Sequence, residues 1–103
     1  MLSISPHELQ QKINQGEDIQ LIDVREEWEH AFFNIGGTLI PLGSLLENTD
    51  KIERTKPVIF YCQKGIRSQL AIQRLQQKFN HTNLVNLSGG MSAWQKEGLS
   101  PKG

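Results

Sequence analysis

Short apolar runs alternate along this chain with longer amphipathic stretches. Ile19–Val24, Val58–Tyr61 and Leu84–Leu87 are brief hydrophobic segments bounded by polar residues, and with the shorter Thr38–Ile40 they predict strands. Val58–Tyr61 is apolar throughout, which predicts a central strand covered on both faces. Between these runs the period lengthens. Ser5-Pro6-His7-Glu8 reads as a helix start, with Ser5 capping, Pro6 in the first turn and Glu8 completing a capping box, and Gly16 marks that helix's end. Glu26–Phe32 predicts a short helix that packs Trp28 and Phe32 inward. Leu42–Thr55 reads as turn and helix. At about 100° per residue, Ala71, Ile72, Leu75 and Phe79 fall on one arc of a helix over Ile66–Phe79, with Ile66 and Leu70 elsewhere. Gly89-Gly90 predicts a turn, and Met91–Glu97 a last helix closed by Gly98, with Trp94 in the core or a pocket wall. Strands alternating with helices give an α/β fold: a mostly parallel central sheet, helices on both faces, and ligands beyond the carboxyl ends of the strands.

A length of 103 residues and 37% hydrophobic content suit one compact domain over residues 1–103. No leader pattern and no apolar run of membrane-spanning length is evident, so a cytoplasmic protein is expected. One cysteine cannot form an internal disulfide, which fits a reducing compartment. A monomer is expected. Net charge is zero, yet residues 1–53 carry ten acids and three bases, while Arg54 to Lys96 contains seven bases and no acid. That second half reads as an electropositive field for small anions, weakened by salt. It lacks the interleaved aromatics of a nucleic-acid site. His7, His30 and His81 share no metal-ligand spacing, and no metal or cofactor is expected.

The chemistry concentrates at Cys62. It ends the apolar run Val58–Tyr61 and opens Gln63-Lys64-Gly65-Ile66-Arg67-Ser68, after which the helical pattern begins. A thiol after an apolar strand is by itself as consistent with an inert core residue as with a nucleophile. The basic, glycine-bearing turn decides between them, because packing does not call for it. A strand, a short loop and a helix start aim backbone N–H groups and the positive end of the helix dipole at one point beside the sulfur. Thiolate is the reactive form of cysteine, and such amides, with the cations Lys64 and Arg67, favour it. Gly65 fits the bend. Ser68 serves either to lend its hydroxyl to this cradle or to cap the helix. Asp23 and Arg25 end an earlier strand, and a salt bridge that holds the loop is their expected role. Trp28 is expected in the core.

These residues resemble the rhodanese-like sulfurtransferases in their small single-domain form. Besides the loop, the resemblance rests on Leu21-Ile22-Asp23-Val24-Arg25-Glu26, Gly36-Gly37 with Ile40-Pro41-Leu42, and Leu87-Ser88-Gly89-Gly90 with Ala93-Trp94. It implies a thiosulfate sulfurtransferase: Cys62 would carry sulfane sulfur as a persulfide, bound by Gln63, Lys64, Gly65, Ile66, Arg67 and Ser68. A small anionic donor such as thiosulfate would supply the sulfur, and cyanide or a thiol would accept it. Related phosphatases and arsenate reductases place five residues between cysteine and arginine; here there are four, a tighter ring suited to a sulfur atom. Two departures stand out. Where many relatives read His-Ile-Pro-Gly-Ala, this chain has Phe33-Asn34-Ile35-Gly36-Gly37, and where arginine often follows the cysteine it has Gln63. The alternative is a relay or recognition module, fed by a partner protein, with little turnover on small molecules.

Overall fold

The computed structural model describes residues 1–99; the last four residues of the expected 1–103 domain lie outside the described residues. Among the described residues five strands form one parallel sheet: β1 (Leu2–Ile4), β2 (Gln20–Asp23), β3 (Thr38–Leu39), β4 (Val58–Tyr61) and β5 (Leu84–Leu87). Their order is β1-β5-β4-β2-β3. In register, Leu21 faces Ile59 across β2 and β4, and Ile59 faces Val85 across β4 and β5. β4 is therefore central, and all four of its residues are buried, as its unbroken hydrophobicity predicts. The chain leaves β2 toward β3 on one side and leaves β4 toward β5 on the other. That divergence opens a crevice at the carboxyl edge between β2 and β4, where ligands bind in open α/β sheets.

The two-residue period of β4 divides the core. Val58 and Phe60 point to one face, where Ala71, Ile72 and Leu75 of α3 (Ile66–Phe79) pack with Leu45 and Ile52. Ile59 and Tyr61 point to the other, with Leu9 of α1 (Pro6–Asn14) and Met91 and Trp94 of α4 (Gly90–Lys96). The helices thus lie on both faces. At the start of α1 the Ser5 hydroxyl accepts from the Glu8 N–H at 3.2 Å, and the Glu8 carboxylate accepts from the Ser5 N–H at 3.0 Å.

Three elements differ from expectation. β1 was not evident, because it is a three-residue edge strand with two exposed positions, recruited by β5 at the far end of the chain. Leu42–Thr55 contains no α-helix; Leu42–Glu47 and Thr49–Lys51 are 3-10 turns, enough to bury Leu45 and Ile52. Helix α2 (Glu27–Phe32) forms, but Trp28 is 72% exposed and Phe32 85% exposed, so neither joins the core. The inward side of this short helix is taken by Glu29 and His30, which find charged partners there. Trp28 and Phe32, four apart and hence on a common face, are left pointing outward.

Candidate active site

Cys62 follows β4 directly, at the edge of the crevice, and is 1% exposed. Gly65, with a φ of 93° that other residues avoid, turns the chain so that its own N–H donates to the Cys62 Sγ at 3.0 Å. One turn on, the Ser68 N–H points at the same sulfur at 3.4 Å, and the Ser68 Oγ lies 3.4 Å from it. Sγ therefore sits on the N-terminal axis of α3, faced by two amide donors. That geometry suits a negatively charged sulfur. Ser68 does not cap α3; Gly65 occupies that position, and the Ser68 hydroxyl donates to Oδ1 of the buried Asn86.

A second helix holds the loop from behind. The N–H groups of Met91 and Ser92, in the first turn of α4, donate to the carbonyls of Cys62 and Gln63 at 2.9 and 2.8 Å. So close an approach requires Gly90, where a Cβ would stand 2.3 Å from the Cys62 carbonyl oxygen. The Gly89-Gly90 turn thus presses α4 onto the loop.

The charged groups form two linked sets. Asp23 at the end of β2 is fully buried and binds Arg25 twice, Nε to Oδ1 and Nη2 to Oδ2, both at 2.9 Å. Arg25, also buried, donates from Nη1 to Oε1 of Gln63 at 3.2 Å, and Gln63 Nε2 donates to Ser92 Oγ. The bridge expected to hold the loop does so through the side chain of Gln63. His30 Nδ1 lies 2.8 Å from Asp23 Oδ2, the oxygen that also accepts from Arg25 Nη2. In the second set, Arg67 donates twice to Glu29 at 2.8 Å. Those bonds hold the Glu29 carboxyl down at about 2, and Glu29 in turn raises the pKa of Arg67.

Glu29, Cys62, Gln63, Lys64, Ile66 and Arg67 line an open pocket of about 320 Å³. Trp28, Phe32 and Phe33 line a neighbouring one of about 230 Å³, which shares Glu29 and Gln63 with it. Every residue of the expected loop is accordingly brought to one place, though in different postures. Gly65 and Ser68 address the sulfur, Gln63 braces the loop, and Ile66 is exposed at the rim. Lys64 is exposed and makes no ion pair among the described residues. Among the described residues, folding pairs two of the seven second-half bases with acids of the first half. Arg54 donates to the Phe79 carbonyl at the far end of α3, Lys56 pairs with Asp18, and Arg67 is met by an acid of the first half. Two site residues, Glu29 and Asn86, were missed. An asparagine inside the apolar run Leu84–Leu87 was the signal for Asn86, since a buried amide requires partners. Nothing local marked Glu29 among its acidic neighbours.

Comparison with known proteins agrees with this architecture. A family model described as Rhodanese-like domain matches residues 5–97. YtwF of Bacillus subtilis is 36% identical over 91% of this chain and 90% of its own length. A sulfurtransferase of Allochromatium vinosum is 32% identical, covering 93% of this chain and 90% of the relative. Thiosulfate sulfurtransferase GlpE of Coxiella burnetii is 32% identical over 76% of this chain and 73% of its own. Some relatives are longer, and the chain spans 25% of MoeZ of Mycobacterium tuberculosis. The crystal structure of a rhodanese-related protein from Thermoplasma volcanium superposes with a TM-score of 0.86 at 32% identity, covering 97% of this chain and 96% of that one. With the parallel sheet, the strand-loop-helix cradle around one cysteine and these matches in agreement, the chain belongs to the rhodanese-like sulfurtransferase family.

Proposed function

We propose that this protein moves a sulfane sulfur through a persulfide on Cys62, from thiosulfate or a persulfide to a thiophilic acceptor such as cyanide or a thiol. The observation that carries this reading is the sulfur's surroundings: a lone cysteine whose Sγ faces the Gly65 and Ser68 N–H groups at the floor of an open pocket. The Cys62 thiolate attacks the outer sulfur of thiosulfate, the old S–S bond breaks, and its electron pair leaves with sulfite. The persulfide left on Cys62 bears its charge among the amides of Gln63–Ser68, with Lys64 and Arg67 as electrostatic partners. A second nucleophile takes the terminal sulfur and returns the thiolate. No cofactor takes part, and with one cysteine in the chain the acceptor comes from outside. The name of the GlpE relative supports thiosulfate as a donor. We place the reaction in the cytoplasm, where a single reduced thiol persists; among the described residues no helix is long and apolar enough to cross a membrane.

One observation favours the relay reading as the second choice. Trp28 and Phe32 stand exposed beside the pocket mouth, where a partner protein would meet them. The intact mass after thiosulfate treatment, without and with cyanide, tests the first reading against Cys62→Ser. Gain of one sulfur atom, removed by cyanide and absent from the variant, is expected. No gain, with Cys62 still open to alkylation, would overturn the thiosulfate reading and leave the relay.

A further inference from the structure

A pocket that collects anions gains most from cations left unopposed. Here the loop's own guanidinium is already engaged: Arg67 is held in two 2.8 Å hydrogen bonds by Glu29, whose side chain is only 10% exposed. The other guanidinium near the loop, on Arg25, is matched by Asp23. Among the described residues that line the pocket, Lys64 is the cation left to meet an incoming donor, and a Cys62 thiolate offsets it. Glu29 therefore holds near neutrality a pocket wall that would otherwise carry one net positive charge, that of Arg67.

We infer, resting on the sulfur-transfer reading above, that Glu29 filters donors by charge: it disfavours dianions such as thiosulfate and sets the pocket for singly charged sulfane donors of the persulfide class. Coulomb energy scales with the donor's charge, so a dianion meets twice the opposition that a monoanion meets in the same place. Glu29 is thus a specificity-determining residue that takes no part in bond making.

The test compares two donors that deliver the same sulfur. Thiosulfate is doubly charged and releases sulfite; methanethiosulfonate is singly charged, and attack by the thiolate on its terminal sulfur breaks the S–S bond and releases methanesulfinate. Second-order rates of Cys62 persulfide formation, read by intact mass at low salt, are measured for the parent chain, Glu29→Gln and Glu29→Asp. Glu29→Gln should speed thiosulfate by on the order of tenfold and methanethiosulfonate by roughly threefold, the square root of that factor, and both gains should shrink with added salt. Glu29→Asp keeps the charge and should leave the ratio of the two donors unchanged. Because that ratio is taken on one preparation, it cancels any loss of folded protein, and Arg67, with a third of its side chain exposed, is not stranded in the core. Equal changes for both donors, or none, would overturn the filter and leave Glu29 a role in holding Arg67. Failure of both donors to load Cys62 in every variant would be a different result, overturning the sulfur-transfer reading itself.

Discussion

Gly90→Ala offers a direct measure of how tightly α4 is pressed against the cysteine loop. Two effects add at this position. The backbone φ is +57°, a left-handed conformation that costs a residue with a Cβ about 1–2 kcal/mol. The new methyl would also stand 2.3 Å from the Cys62 carbonyl oxygen and 2.8 Å from the Gln63 carbonyl carbon and oxygen, all backbone atoms with no rotamer to escape into. α4 must retreat, and the bonds from Met91 N–H to Cys62 and from Ser92 N–H to Gln63 stretch with it, at about 1 kcal/mol each. The total is about 3–4 kcal/mol, a large share of the roughly 5–15 kcal/mol that holds a domain of this size. Gly16→Ala is the control, because its φ of +68° carries the same strain with nothing within 4 Å. Its loss is about 1–2 kcal/mol. Urea unfolding followed by circular dichroism gives both values by linear extrapolation. A gap of at least about 2 kcal/mol is expected, and equal losses within about 0.5 kcal/mol would refute the close approach as the reason for glycine.

Asp23→Asn leaves the buried Arg25 guanidinium without its counter-charge and should lower stability by about 3–5 kcal/mol in the same assay; a loss under about 1 kcal/mol would show that Gln63 and the Phe33 carbonyl satisfy Arg25 unaided. The Glu29 carboxyl is depressed from 4.5 to about 2, so its contribution is complete above the unfolded value and fades as pH falls through the folded one. The stability difference between the parent chain and Glu29→Gln should accordingly be flat at neutral pH and close between 4.5 and about 2 in an acid titration; closure well above 4.5 would contradict the pairing with Arg67. Trp28→Ser and Phe32→Ser should each cost less than about 0.5 kcal/mol, since both rings are exposed, and a loss of about 2 kcal/mol or more would return them to the core.

Local rules carried much of the fold. The Ser5 capping box, the apolar β4 and the buried arc of α3 were legible because each depends on neighbours in sequence or on one period. So was the cradle, since Cys62, Gly65 and Ser68 lie in one short stretch of chain. What escaped was set across the molecule. β1 exists only through β5, the Asn86 amide matters only because α3 brings Ser68 to it, and the Arg67–Glu29 pair joins two elements far apart in sequence. The inward turn of α2 belongs here too. Its aromatics were expected inside, and the competing claim of Asp23 on His30 and of Arg67 on Glu29 reversed the face.

The bonds from Met91 and Ser92 to the Cys62 and Gln63 carbonyls also set an order of assembly. A chain emerging from the ribosome presents Cys62 well before the residues that hold its loop from behind. Until Gly90 and the first turn of α4 are out, those two carbonyls lack their partners, and β1 lacks β5 to pair with. The bracing of the Cys62 loop by α4 is therefore among the last contacts the emerging chain can complete.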